Sequence, residues 1–384
     1  MSEPPARRDT PRHTALVLSG GGARGAYQAG VLSGLAELGL IPHGRSPFGI
    51  LVGSSAGSIN VGMLAAYAEN LAGGVEQLVD VWGGLRARDV FRTDLRSLGG
   101  IGARWAWDLS FGGALRRVQP KSLLDTAPLR TLLQRIPLAQ IAGAVRHGAL
   151  HAVAVAATDL YTSNGYLFVQ GAAGIRRWRR SRWRIVLESL TIEHLMASSA
   201  IPIFFPSIEI DGRHFGDGCI RNTAPLSPAI NLGADRILAI SVQGADVPDA
   251  ARPRRRPPPT IAQIAGVLLD AVMLDAVESD VEHSGRVNRS VLHCASRTRG
   301  ETFRRVEVMW LKPSVDFGAL AGRLAGEVPP IVRYLLRGLG SDAAISELLS
   351  YLLFAPAFTS RLLAAGRADA LAAKAALAEF LAAD

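Results

Sequence analysis

Twice near its start, the chain runs from a short apolar strand through glycines into an alanine-rich helix. The first passage reads Leu16-Val-Leu-Ser-Gly-Gly-Gly-Ala-Arg-Gly-Ala-Tyr27, and the second Phe48-Gly-Ile-Leu-Val-Gly-Ser-Ser-Ala-Gly-Ser-Ile-Asn60. A strand that leaves directly into a helix cannot return as a tight hairpin. Its successor lies parallel, and the helices cover the faces of the sheet. The alternation continues along the chain. Strand patterns fall at residues 14–19, 48–52, 150–156, 166–169, 207–210, 236–242 and 290–293. Helical patterns fall at residues 26–39, 56–68, 75–85, 128–133 and 192–198. The expected fold class is α/β, with a mostly parallel central sheet flanked by helices on both faces. Residues 203–216 are the exception and predict a hairpin turning at Asp211-Gly212.

The pattern divides into a tail at residues 1–13, an α/β domain at residues 14–312 and a helical C-terminal appendage at residues 313–384. In the last, Ile331, Tyr334, Leu335 and Leu339 fall on one helical face. The Pro/Arg-rich residues 248–259 are expected to form a mobile, exposed loop. The tail has no apolar segment of the kind a cleaved secretory signal needs. The longest apolar helical run, residues 261–277, is interrupted by Asp270 and Asp275. It therefore falls short of the roughly 18 uninterrupted apolar residues of a membrane span. Two cysteines, Cys219 and Cys294, lack metal-ligand spacing, which suits a reducing compartment and no disulfide framework. The formal net charge of +9 is almost wholly arginine, with lysine only at Lys121, Lys312 and Lys374. That excess favours an anionic surface such as phospholipid head groups or RNA. The expectation is a soluble, cytoplasmic protein with peripheral access to a membrane and no nucleic-acid partner.

The first glycine cluster has the spacing Gly20-x-Gly22-x-x-Gly25 of a dinucleotide fingerprint. Such a site needs an acidic residue about 20 positions further on. Residues 41–48 contain none, and no Gly-Lys-Ser/Thr of a phosphate loop is present. What remains is a run of open amides at a helix N-terminus with Arg24 beside it, suited to an oxyanion as well as a phosphate. The second cluster, Gly53-x-Ser55-x-Gly57, has the nucleophile-elbow pattern: a sharp strand-to-helix turn that exposes a serine hydroxyl and tolerates no bulk two residues away. A serine nucleophile needs a base. None of the eight histidines sits in a glycine-flanked turn after a late strand, and His214 comes nearest. Asp217, between Gly216 and Gly218, fits in one of two ways. It is either a base whose proton affinity is raised by desolvation or a turn aspartate bonding its own backbone.

Four blocks, taken in order, resemble the bacterial-type patatin-like phospholipase family. They are Gly20-Gly21-Gly22-Ala23-Arg24-Gly25, Gly53-Ser54-Ser55-Ala56-Gly57, Ala197-Ser198-Ser199-Ala200-Ile201-Pro202-Ile203-Phe204-Phe205-Pro206, and Asp217-Gly218. The resemblance implies a Ser–Asp dyad without histidine, with Ser55 as nucleophile and Asp217 as its activator. It also implies an oxyanion hole around residues 20–25, with Arg24 near it, and requires no metal or cofactor. The substrate it implies is a fatty-acyl ester of a phospholipid or lysophospholipid. A thioesterase or neutral-lipid lipase would use the same residues, and a nucleotide-binding protein is the alternative from another class. Cys219 departs from the family pattern, which has glycine or alanine at that place.

Two further features bear on lipid access. Trp105, Trp107 and Phe111, in a glycine-rich stretch, suit an acyl groove or a bilayer, or else ordinary loop packing. The run Arg176, Arg177, Trp178, Arg179, Arg180, Arg182 and Trp183 suits phosphate head groups, stacked RNA bases or a solvated strand edge.

Overall fold

A computed structural model describes residues 13–42, 44, 46–92, 122–178, 180–243, 271, 275–293, 304–328 and 342–382. Among them, nine strands share one sheet: β1 (His13–Leu18), β2 (Ile50–Gly53), β3 (Ala152–Asp159), β4 (Gly165–Gly171), β5 (Trp183–Leu187), β6 (Ile208–Ile210), β7 (Arg213–Asp217), β8 (Ala234–Ile240) and β9 (Glu307–Leu311). The order across the sheet is β5-β4-β3-β2-β1-β8-β9, with β7 on β3 and β6 on β7. The central path from β3 through β2, β1 and β8 to β9 is parallel throughout. Antiparallel pairing enters where β4 and β7 meet β3 and where β6 meets β7. The β6–β7 hairpin turns at Asp211 and Gly212, both with positive φ (50° and 72°), as a two-residue hairpin loop requires.

Helices α1 (Gly25–Glu37), α2 (Ala56–Ala66) and α3 (Leu71–Gly84) follow the first two strands. The expected strand at residues 290–293 is instead the end of the helix Asp275–His293. Val277, Asp280 and Ser284 of this helix are buried at helical spacing. Two edge strands, β5 and β9, were not anticipated. Three successive residues of β9, Val308, Met309 and Trp310, are only half-buried, so the strand lacks a clean alternation.

Among the described residues of the expected region 313–384, the helices Phe317–Arg323, Asp342–Leu352, Pro356–Ala372 and Lys374–Ala382 pack against the rest of the fold. The helix Pro356–Ala372 lies directly on α1. A Cβ at Gly30 would fall 2.2 Å from the Leu363 carbonyl oxygen, and one at Gly366 would fall 2.2 Å from that of Tyr27. Glycine at both positions lets the two backbones touch. Tyr27 Oη donates to Asp369 Oδ2 at 2.8 Å, and Arg367 grips Glu37 with two bonds of 2.6 and 2.7 Å. One apolar cluster runs from Leu16 to Phe380, so these helices complete the same core. No single described helix is long and apolar enough to cross a membrane. Of the tail expected at residues 1–13, His13 belongs to β1 and residues 1–12 lie outside the described residues, as do the expected loop at residues 248–259 and Ile331, Tyr334, Leu335 and Leu339.

Candidate active site

The site arises where two strands end against a third. β2 stops at Gly53, opposite Val155 of β3, and turns into α2. Beyond that point the same edge of β3 is taken by β7, running the other way, with Asp217 opposite Ala157. The topology thus brings Ser55 and Asp217 together from chain positions more than 160 residues apart.

Ser55 caps α2 with φ 53° and ψ −128°, a region costing a residue with a side chain about 1–3 kcal/mol. Close packing imposes the turn. A Cβ at Gly57 would lie 2.3 Å from the Leu18 carbonyl oxygen, and one at Gly53 would lie 2.4 Å from that of Gly57. Neighbouring hydroxyls hold the strained peptide. The Ser55 amide donates to Ser198 Oγ at 3.0 Å, while Ser58 and Ser199 donate to the Ser55 carbonyl at 2.6 and 3.3 Å. Asn222 Nδ2 donates to Ser54 Oγ at 3.0 Å.

Asp217 is buried at the end of β7, where its amide donates to the Ala200 carbonyl at 2.9 Å. Its Oδ1 accepts from the Cys219 amide at 2.9 Å, the local bond of a turn aspartate. Its Oδ2 accepts no hydrogen bond from any described residue. Burial pushes its pKa up to about 6, against a lowering pull from the Ser55 hydroxyl, then from Cys219. The Ser55 hydroxyl therefore stands close enough to influence the carboxyl without satisfying hydrogen-bond geometry at Oδ2. Such looseness is common in a free site that tightens around its substrate. The carboxyl thus combines the local bond of a turn aspartate with a proton affinity raised by burial.

Cys219 fits its place. A Cβ at Gly20 would lie 2.4 Å from Cys219 Sγ and 2.7 Å from the Ser55 Cβ, so the glycine loop, the elbow and the β7 turn converge at one point. Burial, reinforced by the Asp217 charge, holds the thiol above its ordinary pKa. It therefore packs as a neutral group. In the glycine loop, Gly21 and Gly22 have φ of 155° and 56° and lead through a short turn into α1. Among the described residues, no hydrogen bond occupies the Gly21 or Gly22 amide. Arg24 does not add its charge to that face. Its side chain is fully buried and turns away into the helix Asp342–Leu352.

An apolar channel of about 180 Å³ starts at Ser55 and Gly22. Ile59, Met63, Leu78, Trp82, Phe205 and Phe354 line it, and the exposed Gln77 and Arg135 lie at its outer end. Behind it runs a buried polar relay that the sequence reading did not single out. Trp82 Nε1 donates to Asn60 Oδ1, Asn60 Nδ2 to Gln28 Oε1, and Gln28 Nε2 to the Ser19 carbonyl, at 2.9, 2.9 and 2.8 Å. The available signal was a lone amide side chain in each of two mainly apolar helices.

The Arg/Trp run requires a correction. Trp183 and Ile185 point into the core from β5, and Arg180 covers the Trp183 ring at 4.5 Å. Trp183 therefore offers no free face to lipid or to a base, whereas Trp178 is only partly buried against the core. Arg176, Arg177, Arg182 and Arg184 are the exposed part of the run. Arg179, Trp105, Trp107 and Phe111 lie outside the described residues.

A strained serine facing a desolvated carboxyl at the carboxyl ends of parallel strands is the layout of an α/β serine-hydrolase site. The profile of the patatin-like phospholipase family matches residues 16–230, more than half the chain, and the protein belongs to that family. Among solved structures it is similar to VipD from Legionella pneumophila, with 13% identity and a TM-score of 0.34 over 92% of this chain and 67% of that one. It is also similar to human GIVD cytosolic phospholipase A2 in complex with methyl gamma-linolenyl fluorophosphonate, with 12% identity and a TM-score of 0.44 over 97% of this chain. The chain covers 59% of that human chain's length. The search of curated proteins returns no match.

Proposed function

We propose that the protein hydrolyses fatty-acyl esters of phospholipids or lysophospholipids, with Ser55 as nucleophile and Asp217 as general base. The observation that carries this reading is the meeting of β2 and β7 on one edge of β3, which sets a strained Ser55 beside a carboxyl with pKa about 6 at the head of an apolar channel. A carboxyl with that pKa is ionised at neutral pH, yet it is a stronger base than an ordinary aspartate. Asp217 takes the hydroxyl proton as Ser55 Oγ bonds to the ester carbonyl carbon. The Gly21 and Gly22 amides receive the oxyanion. Collapse of the intermediate breaks the bond to the leaving alcohol, which takes the proton from Asp217. The acyl chain, lying in the channel, stays on Ser55. A water then attacks the acyl carbon as Asp217 takes its proton, and that proton returns to Ser55 as the fatty acid leaves.

Approach to a bilayer is proposed at the turn between β3 and β4. Leu160 and Tyr161 there are 46% and 83% exposed. Arg213 bonds Asp159 at 3.1 Å, Arg221 bonds the Ser163 carbonyl at 2.7 Å, and the Arg182 carbonyl accepts from Gly165 at 2.9 Å. An apolar tip ringed by arginines suits an anionic lipid surface. Purified protein mixed with phosphatidylglycerol vesicles tests both parts. Fatty acid should be released by the wild type and not by Ser55→Ala, with vesicle binding weakened by Tyr161→Ala and by salt. Release undiminished in Ser55→Ala would reject the nucleophile. Binding unchanged by salt and by Tyr161→Ala would reject the docking surface.

A further inference from the structure

The helix Asp342–Leu352 lies outside residues 16–230, the part of the chain matched to the family. We propose that it is a positioning element for the glycine loop, holding the Gly21 and Gly22 amides in the shape an oxyanion needs. The proposal rests on the hydrolase reading above.

Two observations carry it. The first is Arg24, which lies between Gly22 and Gly25 and is fully buried. A guanidinium taken from water needs close partners. One turn of this helix supplies it with polar partners. Nη2 pairs with the Glu347 carboxylate, and Nε and Nη2 donate to Ser350 Oγ at 2.8 and 2.6 Å. The guanidinium carbon also lies 4.1 Å from the centre of the Tyr351 ring. Ser350 Oγ donates its own proton to the Glu347 carbonyl, which leaves its lone pairs for Arg24.

The second observation is independent of any side-chain charge. A Cβ at Gly22 would fall 2.2 Å from the Tyr351 carbonyl oxygen, so the helix backbone bears directly on the loop. Gly22 holds φ 56° at this contact and lines the channel beside Ser55. Phe354, just past the helix end, lines the same channel. The loop is thus braced from behind by Tyr351 and tied down by Arg24 while its glycines border the nucleophile. Oxyanion donors act through a geometry fixed before the reaction, and deleting one such donor slows an enzyme by about 10²–10³. Loosening the loop is a milder change, with an expected loss of about tenfold in kcat.

The test compares full-length wild type with Glu347→Gln and Ser350→Ala, and with Arg367→Gln as a control on a neighbouring helix. Glu347 is 38% exposed, so its isosteric change is the less disruptive, and Ser350→Ala serves should Glu347→Gln fail to fold. Hydrogen exchange across residues 20–25 is read alongside kcat and KM on a short-chain nitrophenyl ester. Both variants should exchange faster in that segment and lose about tenfold in kcat with KM within about twofold. Arg367→Gln should match the wild type in both readouts. Unchanged exchange across residues 20–25 overturns the proposal, and so does faster exchange with kcat kept within about twofold. If the wild type hydrolyses no ester, the hydrolase reading fails by itself, and the exchange measurement alone decides whether this helix holds the loop.

Discussion

Replacing Asp217 with asparagine should stabilise the protein while removing its activity. Asparagine keeps an oxygen at Oδ1 for the Cys219 amide, so the 2.9 Å bond that shapes the turn survives. What disappears is a buried charge. The folded-state pKa is about 6 against an ordinary 3.8, because burial disfavours the carboxylate. The folded protein therefore binds this proton more tightly than the unfolded chain. Stability contributed by the protonated form is fully present below about pH 4, declines as the pH rises towards about 6, and stays lost above it. The difference of 6 less 3.8 corresponds, at about 1.4 kcal/mol per unit, to about 3 kcal/mol lost by the wild type at neutral pH. Urea unfolding of both proteins at about pH 4 and about pH 8 isolates the effect. The variant should gain about 3 kcal/mol on the wild type between the two conditions. A difference that does not change with pH, or a variant that loses ground at high pH, would refute the reasoning. The predicted gain would make the buried carboxyl one more case of a reactive site held at the expense of stability.

Three other outcomes follow from the same geometry. On a neutral ester, kcat/KM should climb with pH up to about 6 and then level off as Asp217 ionises, and a profile flat through that region would contradict its role as base. Gly366→Ala forces a Cβ to within 2.2 Å of the Tyr27 carbonyl and should lower stability by about 1–3 kcal/mol in thermal denaturation, whereas an unchanged melting temperature would mean the two helices are not in backbone contact. Met63→Trp places bulk in the channel about two turns beyond Ser55, so long-chain esters should lose rate while acetyl esters keep theirs. An unaltered chain-length profile would move the acyl chain elsewhere.

What was legible in the sequence was local. The two strand–glycine–helix passages and the Asp211-Gly212 hairpin each carry their signal within a few residues, and each appears where expected. Residues 290–293 were misleading because four residues do not reveal a phase, whereas the helical phase set by Val277, Asp280 and Ser284 begins further back. The pairing of Ser55 with Asp217 rested on resemblance. Its physical cause is the shared edge of β3, which no local pattern encodes. Arg24 shows the same limit more sharply. From sequence it reads as a positive charge beside the glycine amides, yet its partners Glu347 and Ser350 lie more than 320 residues away. Trp183 looked exposed among arginines, but the inward alternation of β5 places it in the core.

The most direct test of the central claim is labelling with a fluorophosphonate, followed by mass-spectrometric mapping of the modified peptide. The probe bonds covalently to an activated serine, and it does so without any choice of lipid. A single adduct on Ser55 is expected in the wild type, none at that site in Ser55→Ala, and strongly slowed labelling in Asp217→Asn. An unlabelled wild type, an adduct on another serine, or labelling indifferent to Asp217 would contradict the dyad.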